Sequence, residues 1–337
     1  MHQHVSAHFS SVLLDVSIQV TSVPNDVDIL ASVYLDGALQ FSQNIRAHAG
    51  DELATLYLGQ FSIKSPELWW PAGHGKAHLY ELTVKYKPTT SQSEEHTQSL
   101  SRKIGIRTVE LVQDPVEQTV NTEKVSVTVE GIGRHTSAQQ ARNDLSARQL
   151  YSVSPTNFYI RVNGVPIYAK GANFIPMDTL PTRVNSHDRK YILETAIASN
   201  MNMIRVWGGG MYQTDDFYEQ ADQLGLMVWQ EIMLACALYP TNSAFLDNIR
   251  AEVVEQTSRL AIHPSIVVWG GNNENEVALG WFAESQTNRD LYVADYSKLY
   301  GGTIYPAIIS VDGTDQRIWV DSSPSNGLIS SPDPYAK

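Results

Sequence analysis

The chain has one cysteine, Cys236, in 337 residues, so no disulfide can form within it and cysteine usage says nothing about redox compartment. No run of 18 apolar residues occurs, which leaves no segment able to span a membrane as a helix. The N-terminal stretch MHQHVSAHFSSVLLDVSIQV lacks a charged segment ahead of a long apolar one, and we read no signal peptide there. There is no N-x-S/T sequon, no HExxH and no paired CxxC. His2, His4 and His8 read as a ragged terminus rather than a metal site, so neither metal nor other cofactor is expected. Basic residues are the scarcer charge, 24 against 36 acidic, for a net −12. That balance argues against nucleic acid or an acidic membrane as the main partner and fits a neutral or cationic ligand.

What is present is a core-forming composition: 42% apolar residues, 7 Trp and 16 Tyr. Residues 10–112 read as antiparallel strands. Leu14, Val16, Ile18 and Val20 alternate on one face, and Asp36-Gly37 marks a hairpin. LATLYLGQFSI, HLYELTVKY and RTVELV follow, giving a β-sandwich assigned to 1–113. Trp69, Trp70 and Pro71 read as a packed corner loop. Residues 114–155 are polar, charged and poor in apolar side chains, and read as a linker or insertion, partly disordered.

From residue 156 the period changes. FYIRVNGVPIYAKGANF gives a hairpin through Asn163-Gly164 and then a strand. Short Val/Ile/Trp-rich strands (NMIRVW, LMVWQEIM, SIVVWGG, RIWVDSS) then alternate with helical segments. Ser186 can cap the first helix, which runs to about Asn200; the second holds Phe217, Ala221 and Leu224 and stops at Gly225; the third holds Ile249, Val253 and Leu260. Strand and helix in alternation mean parallel βα units, and strands without alternation mean both faces covered. Neither GANFIP nor RVWGGGMYQ has the GxGxxG spacing of a doubly wound dinucleotide binder. Polar residues sit instead at the C-terminal ends of successive strands, the habit of a barrel. Those ends carry Asn173 and Asp178; Trp207; Trp229, Gln230 and Glu231; and Asn272, Asn273, Glu274, Asn275 and Glu276. Acids, amides and tryptophans in one mouth suit a polyhydroxylated ring: indoles stack on its C–H face, amides bind hydroxyls, a carboxylic acid protonates a leaving oxygen.

Several segments carry a resemblance: WWPAGHG, RTVELVQDP, FYIRVNGVPIYAKGANFIPMD, the run from NMNMIRVWGGG to ACALYP, HPSIVVWGGNNENE and SSPSNG. Through them the chain resembles glycoside hydrolase family 2, in its β-mannosidase branch. The resemblance implies an immunoglobulin-like sandwich followed by the first part of a (β/α)8 (TIM) barrel over 156–337, cut after about five strands. It implies a retaining exo-hydrolase that removes terminal β-D-mannose from oligosaccharides, with a mannoside as ligand and a lysosomal or secreted setting. Glu274 would be the acid/base, with Glu276 the alternative. Asn273 would bind the 2-hydroxyl, Trp207 and Trp281 would line the sugar site, and Asp178 and Asn173 would contact hydroxyls. Glu231 would support the mouth. The two glycines before Asn272 would let sugar and backbone approach, and a Trp-lined mouth would raise the pKa of the acid. The family's nucleophilic Glu on the seventh strand and its N-terminal sandwich have no counterpart in these residues, so the chain alone is expected to be inactive. Another family 2 β-glycosidase, of the β-galactosidase or exo-glucosaminidase type, and a non-catalytic sugar-binding relative remain as alternatives. No feature of the sequence sets an oligomeric state.

Overall fold

The computed structural model describes residues 2–6, 9–21, 25–48, 53–90, 97–113, 157–314 and 316–325. The reading of 114–155 as a linker falls outside them.

Seven strands form two antiparallel sheets. β1 (His2–Val5), β2 (Ser11–Thr21) and β5 (Leu53–Lys64) pair in the order β1-β2-β5. β3 (Val27–Leu35), β4 (Ala38–Ala47), β6 (Tyr80–Pro88) and β7 (Gln98–Ile104) pair in the order β4-β3-β6-β7. Strand alternation supplies the core between them: Val12, Leu14, Val16 and Ile18 face Ala31, Val33, Leu35, Leu82 and Val84. The β3–β4 turn puts Asp36 and Gly37 at φ 48° and 79°, the left-handed pair that suits a two-residue hairpin. Residues 2–5 are not ragged: β1 pairs with β2 from His2–Asp15 to Val5–Val12.

The last strand before residue 113 does not pair within the sandwich. β8 (Val109–Val112) leaves it to pair with β9 (Tyr159–Val162), which pairs with β10 (Val165–Ile167) through the left-handed Asn163-Gly164 turn. Ordinary alternation cannot show this, because β8 carries the same pattern whichever sheet accepts it.

Five parallel strands follow in sequence order: β11 (Gly171–Phe174), β12 (Met203–Val206), β13 (Met227–Glu231), β14 (Ile266–Gly270) and β15 (Ile318–Val320). Between them run α1 (Ser186–Ala198), α2 (Asp215–Leu224), α3 (Ser243–Leu260), α4 (Asn275–Ala278), α5 (Ala283–Thr287), α6 (Arg289–Leu299) and α7 (Tyr305–Asp312), with a π-turn at Tyr300–Ile304. Asn185, not Ser186, caps α1; it exchanges side-chain and backbone hydrogen bonds with Asp188 in a capping box. One sheet face, with Phe174, Ile204, Val206, Val228, Ile266 and Trp269, packs on helix residues such as Leu193, Phe217, Ala221, Ile249, Val253 and Ile308. The other face is filled near the strand starts by Met203, Met227, Val267, Val268 and Ile318 against Trp69, Val109, Ile160, Val162 and Ile167. Two covered faces are why these strands read as continuous apolar runs.

Two residues lock the sandwich to the parallel sheet. Trp69 is fully buried and its indole N–H donates to the Asp222 carbonyl at 2.8 Å, which makes WWPAGHG a packed corner. Arg107 reaches under the strand starts, donating to the carbonyls of Pro264 (3.0 Å), Gln316 (2.9 Å) and Ile266 (2.7 Å). Burial, with neighbouring Arg317 adding to it, presses the Arg107 pKa down to about 9. Among the described residues no helix is long and apolar enough to cross a membrane.

Candidate functional site

The register of the parallel sheet decides which polar residues meet. Arg205, at the third position of β12, pairs in register with Asn173 on β11 and Trp229 on β13. Its guanidinium faces away from the helices and organises the strand ends. Nε and Nη2 both donate to Oε1 of Glu231, at 2.9 and 2.8 Å. Nη1 donates to Asn173 Oδ1 at 3.0 Å and Nη2 to Asn273 Oδ1 at 2.6 Å. Three strand ends and the segment after β14 are thus joined through one cation.

Glu231 is 1% exposed. Its other oxygen accepts the Gly208 backbone N–H at 2.7 Å. Burial holds its pKa above the ordinary carboxylate range, and Arg205 and the Gly208 N–H pull against that without cancelling it. The upward shift expected for an acid in this mouth is found here on Glu231. Gln230, one residue earlier, points the other way: its Oε1 accepts the Tyr218 hydroxyl at 2.6 Å on the helix side.

The crowd of amides and acids after β14 sorts by contact. Asn272 is buried and braces the loop: Oδ1 accepts from the Asn275 N–H (2.9 Å) and Ser322 Oγ (2.7 Å), and Nδ2 donates to the Asp321 carbonyl (2.7 Å). Asn275 donates to the Tyr300 hydroxyl at 2.5 Å. Glu276 is buried and accepts from Ser325 Oγ at 2.9 Å. Asn273 and Glu274 turn toward the Arg205 cluster. Asn273 forms parallel bridges to Ala235 on one side and Ser323 on the other, extending the sheet by one residue. Glu274 is partly exposed and caps α4 from the left-handed region, φ 64°. Cys236, in the neighbouring segment, is left-handed as well, φ 52°. The Asn273 amide donates to Cys236 Sγ at 3.2 Å, and the thiol donates to Glu274 Oε2 at 3.5 Å.

The other expected contacts have partners of their own. Asp178 is held in its own loop, accepting the Leu180 N–H at 2.9 Å and pairing with Arg183 at 3.1 Å. Trp207 directly follows β12, and its ring occupies the space where a Gly209 side chain would stand, 2.1 Å from an added Cβ. Trp281 is 45% exposed and packs on the edge of Phe282. The glycines before Asn272 are closely packed by the protein itself. A Cβ on Gly270 would meet the Trp229 indole and Glu231, and one on Gly271 the Asp321 carbonyl. Among the described residues no group of three His, Cys, Asp or Glu side chains could hold a metal ion.

Arg205 and Cys236 were missed as site residues. The first had a signal: a lone charge inside NMIRVW, a strand covered on both faces, must face a partner. For the second the only hint was rarity.

A β-sandwich leading into a parallel α/β sheet, with acids and amides gathered at the strand ends, defines an α/β protein whose polar site lies where such folds bind small ligands. Residues 1–107 match the family model "Glycosyl hydrolases family 2". The chain is 36% identical over 305 residues to the β-mannosidase of Capra hircus, covering 88% of this chain and 30% of that protein. It is 35% identical over 266 residues to a probable β-mannosidase of Caenorhabditis elegans, covering 78% and 25%. Among solved structures, the β-D-mannosidase of Dictyoglomus thermophilum superposes with a TM-score of 0.72 at 28% identity, covering 99% of this chain and 35% of that one. An exo-chitosanase of Amycolatopsis orientalis shares the fold at 18% identity, with a TM-score of 0.64, 95% of this chain and 31% of that one. Residues 1–107 belong to glycosyl hydrolase family 2, and the chain spans about a third of the length of the relatives it matches.

Proposed function

We propose that this chain carries the acid/base half of an exo-acting, retaining β-mannosidase, with Glu274 as the acid/base and terminal β-D-mannosides as substrate. The observation that carries this reading is the position of Glu274. It stands beyond β14, beside Asn273 and tied through Cys236 into the Arg205 cluster, in a chain 36% identical to a β-mannosidase. A partly exposed carboxyl on a fixed backbone can reach a glycosidic oxygen, while buried Glu276 and Glu231 cannot approach a sugar without losing their partners.

In this reading the five parallel strands are the first five of a (β/α)8 barrel, the sandwich is immunoglobulin-like, and their boundaries fall near residues 113 and 156. Asn273 binds the 2-hydroxyl through its amide, and Arg205 fixes that amide by occupying Oδ1. Trp207, Trp281, Asn173 and Asp178 line the approach. Retention needs a second carboxylate roughly 5–5.5 Å from the first, acting as nucleophile. It is assigned to the part of the enzyme that the relatives carry beyond the matched segment, and these 337 residues alone are assigned no turnover. The lysosomal or secreted setting belongs to the same proposal.

The test is a panel of nitrophenyl glycosides offered to the complete gene product. Preference for the β-mannoside supports the reading. Preference for the β-galactoside, β-glucosaminide or β-glucuronide sinks the substrate assignment, and binding of mannose without turnover sinks the enzymatic one.

A further inference from the structure

Resting on the reading of Glu274 as the acid, we infer that Cys236 is a positioning residue for it: the thiol holds one carboxyl oxygen so that the other presents its proton to the leaving group. Five contacts support this. The Cys236 thiol donates to Oε2 of Glu274 at 3.5 Å. The Asn273 amide donates to the same sulfur at 3.2 Å, which orients the S–H away from Asn273 and toward the carboxyl. Asn273 is itself fixed by Arg205 at 2.6 Å, and Arg205 by buried Glu231. The backbone repeats the link, since the Cys236 N–H donates to the Asn273 carbonyl at 2.9 Å.

The chain Arg205–Asn273–Cys236–Glu274 therefore runs from a buried ion pair to a partly exposed carboxyl. A carboxylic acid has two oxygens and one proton. With Oε2 engaged as an acceptor, the proton resides on Oε1, and the torsion of the carboxyl is set. Serving as donor requires the neutral thiol; Cys236 is exposed, and partial desolvation of its sulfur followed by the Glu274 hydrogen bond keeps its pKa above the ordinary value. Both residues are non-glycine and left-handed, at φ 52° and 64°. Such conformations cost free energy and persist where the surroundings fix them.

The experiment uses the complete gene product with Cys236→Ala, Cys236→Gly and Cys236→Ser, on two substrates. One is an unactivated mannoside, whose leaving group needs the acid; the other is a dinitrophenyl β-mannoside, whose leaving group does not. Glycine suits the left-handed backbone, so Cys236→Gly removes the thiol without the strain that burdens alanine. Alanine and glycine are expected to lower kcat on the unactivated mannoside by about tenfold, the size of one lost hydrogen bond. KM and the activated substrate should move by less than about twofold, and serine, which keeps a donor, should restore most of the rate. Equal losses on both substrates, or no loss on either, overturn the positioning role. Glu274→Gln measured alongside separates the two failures. If it loses activity while the Cys236 variants do not, the positioning role alone falls. If it keeps full activity on the unactivated mannoside, the acid assignment falls, and the role of Cys236 with it.

Discussion

Arg205 and Glu231 form the closest cation–carboxylate contact at the strand ends, two guanidinium nitrogens on one oxygen at 2.8 and 2.9 Å, with the Glu231 side chain fully buried. A buried charge stripped of its partner is costly, whereas removing both charges is not. Arg205→Met is therefore expected to lower unfolding free energy by about 3–5 kcal/mol. Adding Glu231→Leu should recover more than half of it. Urea unfolding of the single and double variants checks this; a double variant no better than the single shows the pair is not what holds these strand ends.

Stability against pH follows from the same pair. Burial raises the Glu231 pKa in the fold, so the folded chain binds this proton more readily than the unfolded one. Stability from this group is then greatest below the ordinary carboxylate value and falls as pH rises from there through the raised folded value, with no further change above it. The difference in unfolding free energy between wild type and Glu231→Gln should shrink over that window. A difference that grows with pH, or stays flat, contradicts the raised value.

At the base of the parallel sheet, Arg107 satisfies three buried carbonyls from inside the junction with the sandwich. Arg107→Met removes a charged donor from each of them, leaving the Ile266 carbonyl only Arg317 Nε at 2.9 Å, and is expected to cost about 3 kcal/mol or more. Calorimetry should show a lowered midpoint, with the sandwich and the parallel sheet melting in separate transitions. A single unchanged transition would show that Trp69 and its surroundings suffice to couple them.

Gly225 ends α2 at φ 68°, and an added Cβ would stand 2.9 Å from both the Trp70 carbonyl and the Ala72 N–H. The turn needs the left-handed conformation, and the Ala72 N–H also donates to the Gly225 carbonyl at 2.8 Å. Gly225→Ala should destabilise by more than about 2 kcal/mol, left-handed strain of 1–2 plus the clash. Thermal melts of this variant beside Gly37→Ala, where a Cβ meets nothing within 4 Å, isolate the clash from the strain.

Local signals carried much of the fold into the sequence. Asp36-Gly37 and Asn163-Gly164 can be read as turns because only a few residue types accept positive φ at both positions. The βα alternation was visible because parallel strands covered on both faces lose their period of two. The partner of β8 was not legible, since pairing is a long-range choice. At the site, Glu231 and Gln230 could both be named as strand-end residues, but which one faces the mouth depends on which face of β13 the helices cover, and that is a long-range choice. The amides Asn272 and Asn275 looked like ligand contacts and are loop braces. Arg205 was marked only by being a lone charge among apolar neighbours, and Cys236 had no partner in the sequence to suggest a role.

The central claim is that Glu274, and not its neighbour Glu276, delivers the proton. Its most direct measurement is kcat/KM of the complete gene product on an unactivated β-mannoside, with Glu274→Gln and Glu276→Gln side by side. The account predicts a loss of about 10²–10⁴-fold for Glu274→Gln, the ordinary contribution of a general acid. It predicts for Glu276→Gln a smaller loss that follows the drop in stability from disturbing Ser325. The reverse order, with Glu274→Gln active and Glu276→Gln folded but inactive, would contradict it.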